Sequence, residues 1–151
     1  AVTVPSAGSY RPLRLGTPAP HGGGDLILAP QQRVVLSGPE VEYMLGTDEV
    51  LAEAAHLGAA PAEHAFDTIR WHGLLLPRHH LIFANGALTE SLHIGSLARS
   101  PSLFATTLPG LSLRAVDAPV HGRPVRRELM AFEAGMLAQA HARLRAPRPA
   151  A

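Results

Sequence analysis

Short apolar runs alternate with turn residues through the first half of the chain. Leu13 and Leu15 stand on one side of an alternating run that stops at Gly16-Thr17-Pro18. His21-Gly22-Gly23-Gly24 makes a flexible turn into Asp25-Leu26-Ile27-Leu28, and Pro30 interrupts before Arg33-Val34-Val35-Leu36. Ser37-Gly38-Pro39 closes that run. Runs recurring about every ten residues with turn signals between them predict short strands of an all-β body. Residues 50–57 (VLAEAAHL) differ: rich in Ala, Leu and Glu, they predict about two helical turns ended by Gly58. Residues 66–76 predict a strand, with Phe66, Thr68, Arg70 and His72 on one side of the pleat and Asp67, Ile69 and Trp71 on the other.

Leu81-Ile82-Phe83-Ala84 reads as a buried strand that turns at Asn85-Gly86 and returns through residues 87–92. A type I′ turn needs two residues tolerant of positive φ, which makes Asn-Gly the strongest hairpin signal in the chain. After Ser100 the period lengthens. Ser100-Pro101 supplies a cap and a first-turn proline before Leu103, Phe104 and Thr107. Within 126–144, Leu129, Phe132, Met136, Leu137, Ala140 and Leu144 recur at helical spacing as one apolar stripe, despite the roughly 1 kcal/mol cost of Gly135. The Pro/Ala/Ser-rich ends, 1–9 and 144–151, bury little and are expected to be disordered.

Composition narrows the function classes. The 151 residues fit one ordinary domain, and the absence of cysteine excludes disulfides, thiolate metal sites and a Cys nucleophile within this sequence. A net charge of +1 argues against nucleic-acid binding driven by bulk charge. No run approaches the roughly 18 apolar residues of a membrane span, and Ala1 opens no basic-then-apolar signal peptide. No nucleic acid or membrane partner is expected. A chain opening on Ala1 without Met reads as a piece of something longer.

Histidines are the densest candidate chemistry: His79-His80, with His72 upstream and His93 downstream. A metal site needs three converging ligands, and neighbours on a strand point to opposite faces, so no metal and no cofactor is expected here. Glu90, Ser91 and His93 lie within one short segment and cannot wrap around a substrate as a triad does. His21-Gly22-Gly23-Gly24 is similar to a glycine-rich oxyanion loop, but the chain has no Gly-x-Ser-x-Gly elbow. Arg123, Arg126 and Arg127 form a basic patch without interleaved aromatics to stack bases, so they read as a solvated face.

Four segments together resemble the Hint (Hedgehog/intein) domains of bacterial proteins. Asp25-Leu26-Ile27-Leu28-Ala29-Pro30-Gln31-Gln32-Arg33-Val34-Val35-Leu36 is similar to the family's strand–turn–strand carrying Ser/Thr-Pro-x-His-Arg. Asp48-Glu49-Val50-Leu51-Ala52-Glu53-Ala54-Ala55-His56-Leu57 is similar to its next segment. The best-marked stretch is Arg78-His79-His80-Leu81-Ile82-Phe83-Ala84-Asn85-Gly86-Ala87-Leu88-Thr89-Glu90-Ser91, a histidine followed by the Ala-Asn-Gly hairpin and Glu-Ser. Arg123-Pro124-Val125 with Phe132-Glu133-Ala134-Gly135-Met136-Leu137 resembles a tail often attached to these proteins.

The resemblance implies a mostly β fold: a partial, horseshoe-like Hint β domain over 10–95, followed by a helical C-terminal extension over 96–143 that carries the amphipathic helix. In active relatives an N-terminal Cys or Ser attacks its own preceding carbonyl, a turn histidine acts on the scissile amide, and a later histidine supports the chemistry. Here Gln32 stands where the turn histidine is expected, and Ala29 where Ser/Thr is usual. His79 or His80 matches the later histidine, and Glu90-Ser91 stands where an intein ends in His-Asn. The nucleophile segment would lie upstream of Ala1, by about 50–70 residues on the family pattern and one-domain size. A degenerate self-processing module acting on its own flanking polypeptide is therefore the first expectation. The alternative is a non-catalytic β domain whose 129–137 helix binds a protein partner. The compartment stays open, secretion within a larger bacterial protein included.

Overall fold

The computed structural model of the chain describes residues 2–16, 25–62, 67–95 and 121–145. The fold is mostly β, with several sheets and a C-terminal helix. A five-stranded sheet forms its centre. In spatial order it contains β10 (Arg127–Glu128), β5 (Glu49–Glu53), β4 (Arg33–Ser37), β9 (Ala87–Glu90) and β8 (Leu81–Ala84). β10 runs parallel to β5, and the other neighbours are antiparallel. A three-stranded sheet holds β3 (Leu26–Leu28), β2 (Leu13–Leu15) and β6 (Ala60–Pro61) in that order. β1 (Val2–Pro5) pairs with β7 (Thr68–Trp71).

Register decides what each face of the central sheet carries. Arg33 lies opposite Glu53 and Val35 opposite Leu51, while Val34 opposite Ala52 and Leu36 opposite Val50 fall on the other face. That second face is the core. Val50 and Ala52 pack with Val41 of α1 (Pro39–Leu45) and with Ala134 and Leu137 of α2 (Ala131–Arg145). Beside it, Leu26 and Leu28 close on Val34 and Ala54. The Arg33 face is the polar one.

The hairpin forms as its sequence predicts, with Asn85 at φ 45° and Gly86 at φ 81° joining β8 to β9. Other expectations are corrected. Residues 50–57 are not helical: 49–53 make β5 and 54–56 a short 3-10 turn. Val50, Leu51 and Ala52 are all fully buried, because a central strand covered on both faces carries an unbroken apolar run that sequence alone does not separate from a buried helix. Ser37-Gly38-Pro39 closes β4 as expected and, beyond that expectation, opens α1, with Pro39 in the first turn and Gly46, at φ 65°, ending the helix. The N-terminal segment expected to be disordered contains β1, held by four residue pairs to β7 and by buried Val4.

Of the expected helical stretch 96–143, residues 121–130 are not helical and 131–143 are. Glu133 reaches back to the Met130 N–H at 2.8 Å and starts α2 there, three residues into the helix as in a capping box. The apolar stripe is also turned: Leu129, Ala134 and Leu137 are buried, whereas Phe132 and Met136 are exposed. The 21–24 turn, Phe66, the 100–107 segment and the 146–151 tail lie outside the described residues.

Candidate functional site

Alternation along the strands brings charged side chains from distant segments onto the polar face of the central sheet. Arg33 of β4 donates to Glu90 Oε1 of β9 at 3.0 Å and to Glu53 Oε1 of β5 at 2.9 Å. Glu128 of β10 lies 3.8 Å from the same guanidinium. Arg33 thus bridges three strands, and most of its side chain is withdrawn from solvent. Gln32 sits just before β4, in a turn closed by its own N–H donating to Ala29 O at 3.0 Å. Its side-chain Nε2 donates to Thr89 Oγ1 at 2.8 Å and to the Glu90 carbonyl at 3.0 Å, while Thr89 Oγ1 donates to Arg33 O at 2.7 Å. Gln32 is therefore a fixed donor aimed at the Glu90–Ser91 peptide.

His79 and His80 part company, as adjacent positions in an extended segment must. His80 is exposed; its N–H donates to Ser91 Oγ at 2.9 Å, and Ser91 N–H donates back to His80 O at 2.8 Å. Ser91 is fully buried, with its hydroxyl oxygen accepting from the His80 amide. His79 turns inward and is buried. Its Nδ1 accepts from the Val125 N–H at 3.1 Å, which fixes the proton of the neutral ring on Nε2. That Nε2 lies 3.1 Å from Glu90 Oε2, yet the two are out of line, and both atoms are buried without a hydrogen-bond partner.

Two further histidines stack beside it. The ring centres of His79 and His93 are 4.7 Å apart, and those of His93 and His121 are 5.5 Å apart with planes 14° from parallel. His93 Nε2 donates to Gly122 O at 3.0 Å. His121 accepts the Ile94 N–H on Nδ1 at 3.2 Å and donates from Nε2 to Leu76 O at 2.9 Å. Backbone groups thus occupy both ring nitrogens of His121. The rings stack instead of converging their nitrogens, and among the described residues no group of three His, Asp or Glu forms a metal site. His72 stays exposed.

Burial pushes the two facing acid–base groups in opposite directions. His79 is lowered to about 4, first by desolvation and then by His93 and His121. Glu90 is raised to about 7, again chiefly by desolvation and in spite of the Arg33 cation. Near neutral pH the Glu90 carboxyl is therefore partly protonated, while His79 remains an uncharged donor.

Sequence reasoning marked Gln32 and His79 but passed over Arg33, His121 and Glu128, and gave Glu90 and His93 only a triad to fail. The missed signal was parity: Arg33 and Glu53 lie on strands that pair in register, which was invisible while 50–57 read as helix.

A protein with this hairpin, this turn and this buried cluster falls in a class of β-built domains that sequence comparison identifies. The family model for the Hint domain matches residues 2–96. The chain belongs to the Hint domain family. No curated protein and no solved structure matches the chain.

Proposed function

We propose that this chain is the C-terminal part of a Hint-type self-processing domain whose acid–base machinery is degenerate, so that it serves its own flanking polypeptide mainly as a folded module. The observation that carries this reading is the state of Gln32. An amide at that place can polarise a carbonyl, and here it does so toward Glu90 O, but it cannot accept and return a proton near pH 7. General acid–base help of this kind is worth about 10²–10⁴-fold in rate. His79 does not replace it, since its free edge faces a carboxyl and its other nitrogen is taken by Val125. Ser91 stands where an intein carries the cyclising asparagine. A serine has no side-chain amide nitrogen to attack its own main-chain carbonyl, and the Ser91 hydroxyl oxygen accepts the His80 N–H, so excision after Ser91 is not part of this function.

The test is intact-mass spectrometry of the protein expressed together with the sequence that precedes residue 1 in its gene. The native protein is expected to stay whole over hours, and Gln32→His to increase any cleavage by at least tenfold. Rapid cleavage with Gln32 in place would overturn the degenerate reading.

One observation favours the second reading, a non-catalytic domain that binds a protein through its helix. Met130, Phe132 and Met136 leave 65%, 67% and 55% of their surface exposed on one stretch of the chain. Replacing Phe132 and Met136 by Glu should abolish co-purification of a partner without unfolding the domain; unchanged binding would remove this reading.

A further inference from the structure

Beyond the processing site, a second concavity lies on the other edge of His79. Segments 77–79 and 121–125 enclose a half-open cleft of about 350 Å³, within the lower range of small-molecule sites. His79 and His121 line it, and Arg78 and Arg123 stand along it from chain segments far apart in sequence. We propose that this cleft binds a small anionic molecule, presenting a phosphate or carboxylate group to Arg78 and Arg123.

Three observations converge on that ligand class. First, the two guanidiniums are exposed and have no carboxylate partner among the described residues; Arg11 and Arg70 share that state, but only Arg78 and Arg123 line this cleft, and Arg14, Arg33, Arg126 and Arg127 are each paired with an Asp or Glu. Second, among the described residues no acidic side chain lines the cleft. Glu90, the carboxyl beside His79, faces the Nε2 edge of that ring, while the Nδ1 edge is the one bonded to cleft-lining Val125. Third, the histidine walls are held in place: the Val125 and Ile94 amides occupy the Nδ1 atoms of His79 and His121, and Leu76 O accepts from His121 Nε2. The wall is a surface of imidazoles fixed by backbone hydrogen bonds, with two exposed cations along it. A planar guanidinium matches two oxygens of a phosphate or carboxylate, and two such groups on one cleft favour an oxyanion over a neutral ligand. None of these features depends on whether the domain processes itself.

The experiment is a titration of the isotopically labelled full chain with sodium phosphate, and separately with sodium acetate, at ionic strength held constant with chloride, followed by amide chemical shifts. Saturable shifts are expected at residues 78, 79, 122 and 123. Arg78→Gln with Arg123→Gln should weaken binding by about tenfold or more, the scale of a lost charge-assisted hydrogen bond. Arg126→Gln, whose guanidinium is already bonded to Glu49 at 2.7 Å, should leave it unchanged. Saturation by phosphate alone assigns a phosphate group, and saturation by acetate alone a carboxylate. Shifts that climb without saturating, that survive the double substitution, or that fall equally with Arg126→Gln would overturn the proposal.

Discussion

Glu90 and His79 occupy one buried spot and answer pH with opposite signs. Glu90 is protonated longer in the folded chain than in the unfolded one, its value moving from 4.5 to about 7. Its contribution to stability is complete below the unfolded value and is lost as pH rises through the folded one. His79 moves from 6.5 to about 4, so its contribution is complete above 6.5 and is lost as pH falls toward 4. Each slope is about 1.4 kcal/mol per pH unit for one proton, and between pH 4.5 and 6.5 they oppose each other. Glu90→Gln is therefore expected to leave the histidine slope exposed, with urea midpoints that climb with pH across this window relative to the parent. His79→Gln should do the reverse, its midpoints falling as pH rises toward 7. Parallel curves for parent and variants would show that neither group is perturbed. Gln32 could be read in the sequence as the odd residue in its turn. The choice between His79 and His80 could not, because it depends on which side of an extended segment meets Val125.

The strands, helices and turns divide by how local their cause is. The Asn85-Gly86 hairpin was legible because two φ angles decide it, and both residues advertise them. β5 was not, because its burial on both faces comes from α1 and α2 on one side and the polar-face cluster on the other, all distant in sequence. α1 was missed for a different reason: Gly38-Pro39 serves equally as a loop end and as a helix start, and only continuation to Gly46 separates them. In α2 the period was legible and the facing was not. Leu137 is fully buried among Val41, Val50 and Ala134, so Leu137→Ala should cost about 2–5 kcal/mol in chemical denaturation. Phe132→Ala, on the exposed side, should stay within about 0.5 kcal/mol. Equal losses at the two positions would place the buried face where the sequence stripe had it.

Across the whole molecule, stability is concentrated in the two apolar clusters that lie side by side on one face of the central sheet, and β1 with β7 forms a separate two-stranded sheet. Deleting residues 1–6 removes the β1 pairing and the Ser6 N–H bond to Asp67 O while leaving those clusters whole. Hydrogen exchange is expected to accelerate at residues 68–71 after the deletion, with protection in β4 and β5 retained. Global unfolding would show instead that β1 is integral to the body. Family membership, carried by residues 2–96, fixes the scaffold.

The site's protonation states are the quantity to measure. Carboxyl and imidazole resonances of Glu90 and His79, followed by NMR from pH 3 to 9 in the full chain, report them residue by residue. A carboxyl midpoint near 7 and an imidazole midpoint near 4 would establish a neutral, hydrogen-bonding His79 beside a Glu90 carboxyl that keeps its proton up to neutral pH. An imidazole midpoint at its ordinary 6.5, with Glu90 titrating near 4.5, would give the domain a working histidine base and contradict the account.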